Sequence, residues 1–151
     1  MSGAAAERAV VLVMRSLALA FAVVGILFIA TPDGVISTID DVGGWFGSFT
    51  HGPKSDEKLW LGLAFAYMTV ITGIALLVSI DVARYRAFLL VLAAGKAASS
   101  LTAGAFFLFH DDVFIYLLNF LVDGSLVGIA LGCWSLAGRI EAPATAAAAP
   151  G

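Results

Sequence analysis

The sequence predicts an all-α integral membrane protein in which four transmembrane helices form one bundle. Of its 151 residues, 61% are hydrophobic and 13% are charged, whereas a soluble domain is about half apolar and about a quarter charged. A helix needs roughly 20 apolar residues to cross a bilayer. Four runs reach that length, at about 9–30, 59–80, 84–109 and 113–137. We therefore expect one membrane domain over residues 1–139, followed by a disordered Ala/Pro tail at 140–151.

Charge and cysteine content exclude several classes of protein. The formal net charge is −3, and the sequence has no basic block that would indicate a nucleic-acid partner. A single cysteine, Cys133, excludes an intrachain disulfide and a multi-cysteine metal or cluster site. Because Cys133 lies in an apolar run, we expect it to be a small buried side chain.

The first apolar run, at about 9–30, is interpreted as a retained helix. Arg8 and Arg15 precede apolar residues, as they do in a cleaved signal peptide, which is the alternative. The run is, however, longer than the apolar region of about 7–15 residues that such peptides carry. Arg15 can reach the interface because its side chain leans towards the helix N-terminus. A Thr-Pro-Asp-Gly sequence at 31–34 then ends the helix.

Residues 35–58 form the only sizeable segment outside the predicted crossings. Its apolar residues recur every three or four positions: Ile36, Ile39, Val42, Phe46 and Phe49. This spacing, together with Trp45, predicts an amphipathic interfacial segment along the bilayer surface. Gly43, Gly44 and Gly47 weaken a helix, so an irregular loop over the bundle is an equally good interpretation.

The distribution of Lys and Arg predicts that both termini are cytoplasmic. The side with the termini would hold five arginines: Arg8, Arg15, Arg84, Arg86 and Arg139. The other side would hold only Lys54 and Lys58, beside five acidic residues. The positive-inside rule then gives an N-in/C-in, multi-pass protein, and we expect it in the inner membrane of a bacterium.

Lys96 and Asp123 are the ionisable residues of a predicted intramembrane polar site. Counted from a turn at Asp111, they lie about 22 Å and about 18 Å deep, at about 1.5 Å per helical residue. A charge at the centre of a membrane helix costs about 2.5–3.5 kcal/mol, so we expect the two to share one site. Each side chain leans towards its own helix N-terminus, which widens the gap between them, so they are expected to interact either directly or through a water or a third polar group. The candidates for this role are Asn119, Ser99 and Ser100.

The predicted polar site has two interpretations. One is that it only fixes the register of two helices, since polar contacts between membrane helices contribute about 0.6 kcal/mol on average. The other is that it binds a solute or a proton, because ionisable residues inside a membrane usually serve a function. The sequence leaves both open.

Glycines predict close packing of the third and fourth crossings. Gly95 lies in a stretch of small residues beside Lys96, and Gly124, Gly128 and Gly132 follow one another at four-residue spacing. Such surfaces let helix backbones approach closely. The neighbouring helix can belong to the same chain or to a partner.

Enzyme and cofactor motifs are absent from the sequence. We find no nucleophile elbow, phosphate loop or HExxH motif, so we do not favour an enzyme, and one of lipid or quinone chemistry is the third choice. A haem between helices needs axial ligands within them, and neither His51 nor His110 lies deep in a crossing. His110, Asp111 and Asp112 are interpreted as a helix turn rather than a metal site. We expect no cofactor and no metal.

The first helix and the crossing pattern resemble a known group. Arg15, Gly25, Phe28 and Pro32, followed by a loop and three further crossings, are similar to the small DoxX-like four-helix bacterial membrane proteins. Some members of that group are membrane subunits of quinone-linked oxidoreductases, so the resemblance implies a role as a complex subunit. It implies no site residue.

The sequence therefore predicts a non-catalytic subunit or interaction partner of a membrane complex or homo-oligomer. Its expected partners are the lipid bilayer and other membrane subunits or further copies of the chain. The alternative is a small transporter or proton-linked carrier centred on Lys96 and Asp123.

Overall fold

A computed structural model describes residues 2–53 and 57–146. For residues 141–146 it describes the backbone but not the side chains. Within these ranges the chain forms five helices and no strand, so the predicted all-α fold is confirmed for the described residues. The helices are α1 (Gly3–Ala30), α2 (Pro32–Gly43), α3 (Lys58–Ile80), α4 (Phe88–Phe109) and α5 (Phe114–Ala146).

Of the helices in the described ranges, four are long and apolar enough to cross a membrane. They are α1, α3, α4 and the Phe114–Ile140 part of α5. Each overlaps one of the predicted crossings, but the first begins earlier, at Gly3, the third begins later, at Phe88, and the fourth runs past residue 137. Because α5 continues to Ala146, it enters the predicted tail. Residues 147–151 lie outside the described residues, and the disorder of the tail stays a prediction.

Pro32 separates α1 from α2. Thr31, the last residue before it, has an extended φ of −143° and closes α1 by donating its N–H to the Leu27 carbonyl. Pro32 then starts α2, where its missing N–H costs nothing because the first helical N–H groups have no partner within the helix. The segment between the first two crossings is thus a helix as far as Gly43 and irregular from there to Pro53.

The long helices pack as two pairs. In the first pair, α1 meets α3 closely at Gly25, where a built Cβ would lie 2.9 Å from Met68 Cβ. In the second pair, α4 meets α5 at Gly104, where a Cβ would lie 2.8 Å from the Phe120 ring. The pairs join mainly through α1 and α5, whereas α3 and α4 pack loosely.

The end of the bundle that carries both chain termini is densely packed. A Cβ built at Gly3 would lie 3.8 Å from the Arg139 carbonyl oxygen, which places the start of α1 beside the last turns of α5. We call this end, up to the level of Lys96 and Asp123, the closed half. It is filled by small and branched apolar side chains that are buried: Val10, Met14, Ala18, Ile71, Ala75, Val78, Leu89, Leu92, Ala93, Ala130, Cys133 and Ala137.

The opposite end, which we call the open half, is covered by α2 and the residues after it. Thr50 hydrogen-bonds Asp112 twice, through its N–H to the carbonyl at 3.3 Å and through its hydroxyl to Oδ1 at 2.7 Å. Phe46 stacks on Phe114, and Phe49 packs against the same ring. The covering segment is therefore attached to the turn between α4 and α5.

Candidate functional site

Lys96 of α4 and Asp123 of α5 form a buried ion pair at the middle of the bundle. The Lys96 Nζ donates to Asp123 Oδ1 at 2.9 Å, and the two residues are 2% and 4% exposed. Lys96 lies 13 residues before the end of α4, and Asp123 lies nine residues after the start of α5. Measured from the turn between these two helices, the residues are about 20 Å and about 14 Å deep in the bundle. Each charge thus neutralises the other far from either bilayer surface.

Of the two arrangements that the sequence left open, a direct contact and a bridged one, the structure has the direct contact. Two features account for the short distance between Lys96 Nζ and Asp123 Oδ1. Lysine has a long flexible stem that can turn back towards α5, and α4 approaches α5 closely one turn away. A Cβ built at Gly124 would lie only 3.2 Å from Ser100 Oγ. The close approach of these small residues brings the ammonium within reach of the carboxylate.

The other predicted polar residues lie on the same interface but do not bridge the ion pair. Ser100 donates its hydroxyl to the Phe120 carbonyl at 2.8 Å, and Asn119 donates Nδ2–H to Ser99 Oγ at 3.2 Å. Together with the ion pair, these bonds form a ladder that joins α4 to α5. Ser99 and Asn119 also line the cavity described below.

Two aromatic rings, which the sequence did not single out, flank the ammonium. The Lys96 Nζ lies 4.9 Å from the centre of the Phe21 ring and 5.3 Å from that of Tyr67. A cation over an aromatic face is attracted by the ring quadrupole, more strongly where water is excluded. Phe21 comes from α1 and Tyr67 from α3, so all of the long helices contribute to the surroundings of Lys96.

The hydroxyl of Tyr67 is buried and has no hydrogen-bond partner among the described residues. It lies beside the α4 backbone, where a Cβ at Gly95 would come within 3.4 Å of it. A buried hydroxyl without a partner is costly, and it usually marks an unseen water or ligand or a functional role.

A cavity of about 600 Å³ lies in the open half, with the ion pair at its inner end. This volume falls within the roughly 300–1,000 Å³ that is typical of small-molecule sites. Its wall is mostly apolar, and the larger apolar side chains come from α1, α2, α3 and α5: Leu17, Phe21, Val24, Phe28, Ile39, Met68, Ile115, Leu118, Val122 and Leu126. Helix α4 contributes Lys96 and Ser99. The polar groups are gathered around Lys96, Asp123 and Tyr67. The cavity thus has a polar floor and apolar sides.

Two further cavities adjoin this one. The first, of about 660 Å³, lies towards α2 and shares Phe28, Ala64, Ile115 and Tyr116 with the central cavity; it also reaches Glu57 and Trp60. The second is a fissure between α3 and α4 that shares Tyr67, Ser99, Tyr116 and Asn119 with the central cavity. The central cavity is therefore approached from the α2 end and from the side of the bundle.

The glycines of the predicted packing stripe do not share one environment. Gly124 faces Ser100 of α4, but a Cβ built at Gly128 or Gly132 would meet no described atom within 4 Å. In the part of the chain that the structure describes, no other helix therefore packs against α5 at Gly128 or Gly132. Gly95, in contrast, contacts Tyr67.

The described residues around the cavity include few acidic, basic or metal-ligating side chains. No group of three His, Cys, Asp or Glu side chains that could hold a metal ion occurs in the described residues. Lys96 and Asp123, the acidic and basic residues among the described ones that line the central cavity, are already paired with each other. What the site offers to a ligand is an apolar chamber with hydrogen-bonding groups at one end.

No protein-family model matches the chain, no curated protein matches it, and no solved structure matches it. The resemblance to DoxX-like proteins therefore stays a prediction, and the function has to be argued from the site itself.

Proposed function

We propose that this multi-pass membrane protein binds a small molecule in its central cavity. The observation that carries the proposal is the buried pair of Lys96 and Asp123 at the floor of that cavity. A pair that only fixed helix register would need no chamber beside it. Tyr67, whose hydroxyl has no partner among the described residues, adds a second polar group at the same level.

In our proposal both termini are cytoplasmic and the protein lies in an inner membrane. Arg84, Arg86 and Arg139 gather at the closed half, in agreement with the positive-inside rule. At the other end, Trp45 and Phe46 are 81% and 73% exposed just after α2. Aromatic rings of this kind suit a bilayer surface, so α2 would lie along the outer face and the cavity would be reached from there.

Cavity-filling variants test the proposal. Val24 lines the cavity, whereas its neighbour Val23 is exposed on the outside of α1. Wild type, Val24→Trp and Val23→Trp would be purified in mild detergent, and their bound small molecules extracted and identified by mass spectrometry. We expect one compound with wild type and Val23→Trp that is lost with Val24→Trp. The same extract from all three proteins would contradict a ligand in this cavity.

Transport by the same site requires a second conformation. The closed half is filled by apolar side chains beyond Lys96 and Asp123, so a carrier would have to open that half to release its ligand. The test is proton flux into liposomes that contain a pH-sensitive dye. A carrier predicts flux with wild type and none with the folded Lys96→Met/Asp123→Leu double variant, whereas equal flux with both would contradict it.

A second candidate function is that of a complex subunit or homo-oligomer. The observation that favours it is the open surface at Gly128 and Gly132, since a small-residue surface permits a close contact with another membrane helix. The mass of the particle in mild detergent would decide whether a partner or a second copy is bound.

A further inference from the structure

The charge balance of the cavity constrains its ligand. Lys96 and Asp123 are the only Asp, Glu, Lys, Arg or His residues, among those described, that line the central cavity, and they neutralise each other at 2.9 Å. A charged ligand would have to break this pair or remain without a counter-ion in a region of low dielectric. Either is costly, so the site suits a neutral molecule.

The hydroxyl of Tyr67 constrains the polar group of that molecule. Its oxygen is buried and has no partner in the described part of the chain, while its ring lines both the central cavity and the fissure between α3 and α4. A phenolic hydroxyl can donate one hydrogen bond. A ligand oxygen that accepts this bond would satisfy the group and fix the orientation of the ligand.

The shape and access of the cavity constrain the rest of the ligand. Beyond the polar floor the wall is formed by aliphatic and aromatic side chains, such as Val24, Phe28 and Leu118. The fissure beside Tyr67 lies between helices that pack loosely, and Gly95 and Ala98 leave it room. The fissure lies on the side of the bundle, so in a membrane that the long helices cross it would open towards lipid, and a molecule dissolved in the bilayer could reach the cavity without entering water.

We infer that the ligand is a neutral, lipid-soluble molecule with an apolar part, such as an alkyl chain, and an oxygen atom that accepts a hydrogen bond from Tyr67. This inference rests on the proposed function and specifies its ligand class. The apolar part occupies the cavity, and the oxygen lies beside the ion pair. An ordinary phospholipid does not fit, because its charged head group would have to leave the bilayer surface.

Photo-crosslinking with two matched probes tests the inference. The protein would be placed in phosphatidylcholine nanodiscs with hexadecanol or hexadecane, each carrying a mid-chain diazirine, and labelled peptides would be identified by mass spectrometry. We expect hexadecanol to label the cavity wall of α1 and α5 more strongly than hexadecane. Tyr67→Phe should reduce this labelling roughly threefold to tenfold, the effect of one neutral hydrogen bond. Tyr85→Phe, on a tyrosine outside the cavity, should not.

The experiment distinguishes a loss of ligand contact from a loss of folding, and each opposing outcome contradicts a different part of the inference. Because the Tyr67 hydroxyl has no described partner, Tyr67→Phe should unfold at the same temperature as wild type or higher, so a loss of labelling cannot come from unfolding. Equal labelling by the two probes, or labelling that Tyr67→Phe leaves unchanged, would overturn the oxygen contact but leave a cavity that binds apolar molecules. Absence of label from the cavity wall would overturn the ligand class. Labelling that persists in Val24→Trp would place the probe outside the cavity and count against the proposed function as well.

Discussion

The two halves of this bundle are built from similar apolar residues and are packed in opposite ways. In the closed half, alanines and branched side chains of α1, α3, α4 and α5 interdigitate and bury one another. In the open half, the same helices enclose a cavity of about 600 Å³. The boundary is the level of Lys96 and Asp123, where Phe21 and Tyr67 surround a charge. We therefore expect the closed half to contribute most of the stability, whereas the open half holds the site of the proposed ligand.

The ion pair at the boundary should give the largest effect. Lys96→Met or Asp123→Leu alone leaves an uncompensated buried charge, which typically costs about 3–5 kcal/mol. The double variant removes both charges and should be less destabilised than either single variant. Thermal unfolding in detergent would measure this double-mutant cycle. Losses that simply add would show that the two residues act independently, despite their contact of 2.9 Å.

Leucine truncation compares the packing of the two halves directly. Leu92 is buried in the closed half, whereas Leu118 lines the cavity of the open half. Leu92→Ala should cost about 2–5 kcal/mol, because the removed methyl groups leave a void. Leu118→Ala enlarges a space that already exists, and we expect it to cost less than half as much. Similar unfolding temperatures for the two variants would mean that the open half is as well packed as the closed one.

Insertion of a larger side chain should also be more costly in the closed half than in the open half. Val78→Phe overfills the closed half, where the valine is fully buried, and should cost about 1–3 kcal/mol. Val24→Phe places the same ring in the cavity and should leave the unfolding temperature unchanged or raise it. A large loss with Val24→Phe would contradict the presence of free space beside α1.

The smallest change in the stability of the chain is expected for a substitution at Gly128. No described atom lies within 4 Å of a Cβ built there, whereas at Gly104 the Phe120 ring lies 2.8 Å away. Gly128→Leu should therefore change the stability of the isolated chain by about 0.5 kcal/mol or less, as is usual at open positions, and Gly104→Leu should destabilise it. A fall in particle mass with Gly128→Leu would identify the uncovered stripe as an interface, and an unchanged mass would count against one.

Hydrophobic length and turn residues were enough to predict the long helices and the break at Pro32. The membrane-crossing helices depend on the length of each apolar run, which can be read directly from the sequence. The extent of α2 was less predictable, since glycines at 43, 44 and 47 oppose an otherwise helical spacing. In the structure this part of the chain is helical as far as Gly43 and irregular from there to Pro53, and its position along a bilayer surface stays a prediction.

The cavity and its aromatic residues could not be predicted in the same way. Tyr67 lies in α3, a helix with apolar residues on all sides, so the sequence does not indicate which face turns inwards. Its position depends on how α3 rotates against α1, which Gly25 and Met68 set by close contact. The direct bond of Lys96 to Asp123 likewise depends on the approach of α4 to α5 at Ser100 and Gly124, a tertiary distance.

The ion pair also has a consequence for how the chain enters the membrane during synthesis. Helix α4 is less apolar than α1, α3 or α5, and it carries Lys96, whose charge alone would cost about 2.5–3.5 kcal/mol at the bilayer centre. The compensating carboxylate is 27 residues further along the chain and emerges from the ribosome later. Helix α4 is therefore expected to wait at the insertion machinery and to move into lipid together with α5, as a hairpin that is already neutral.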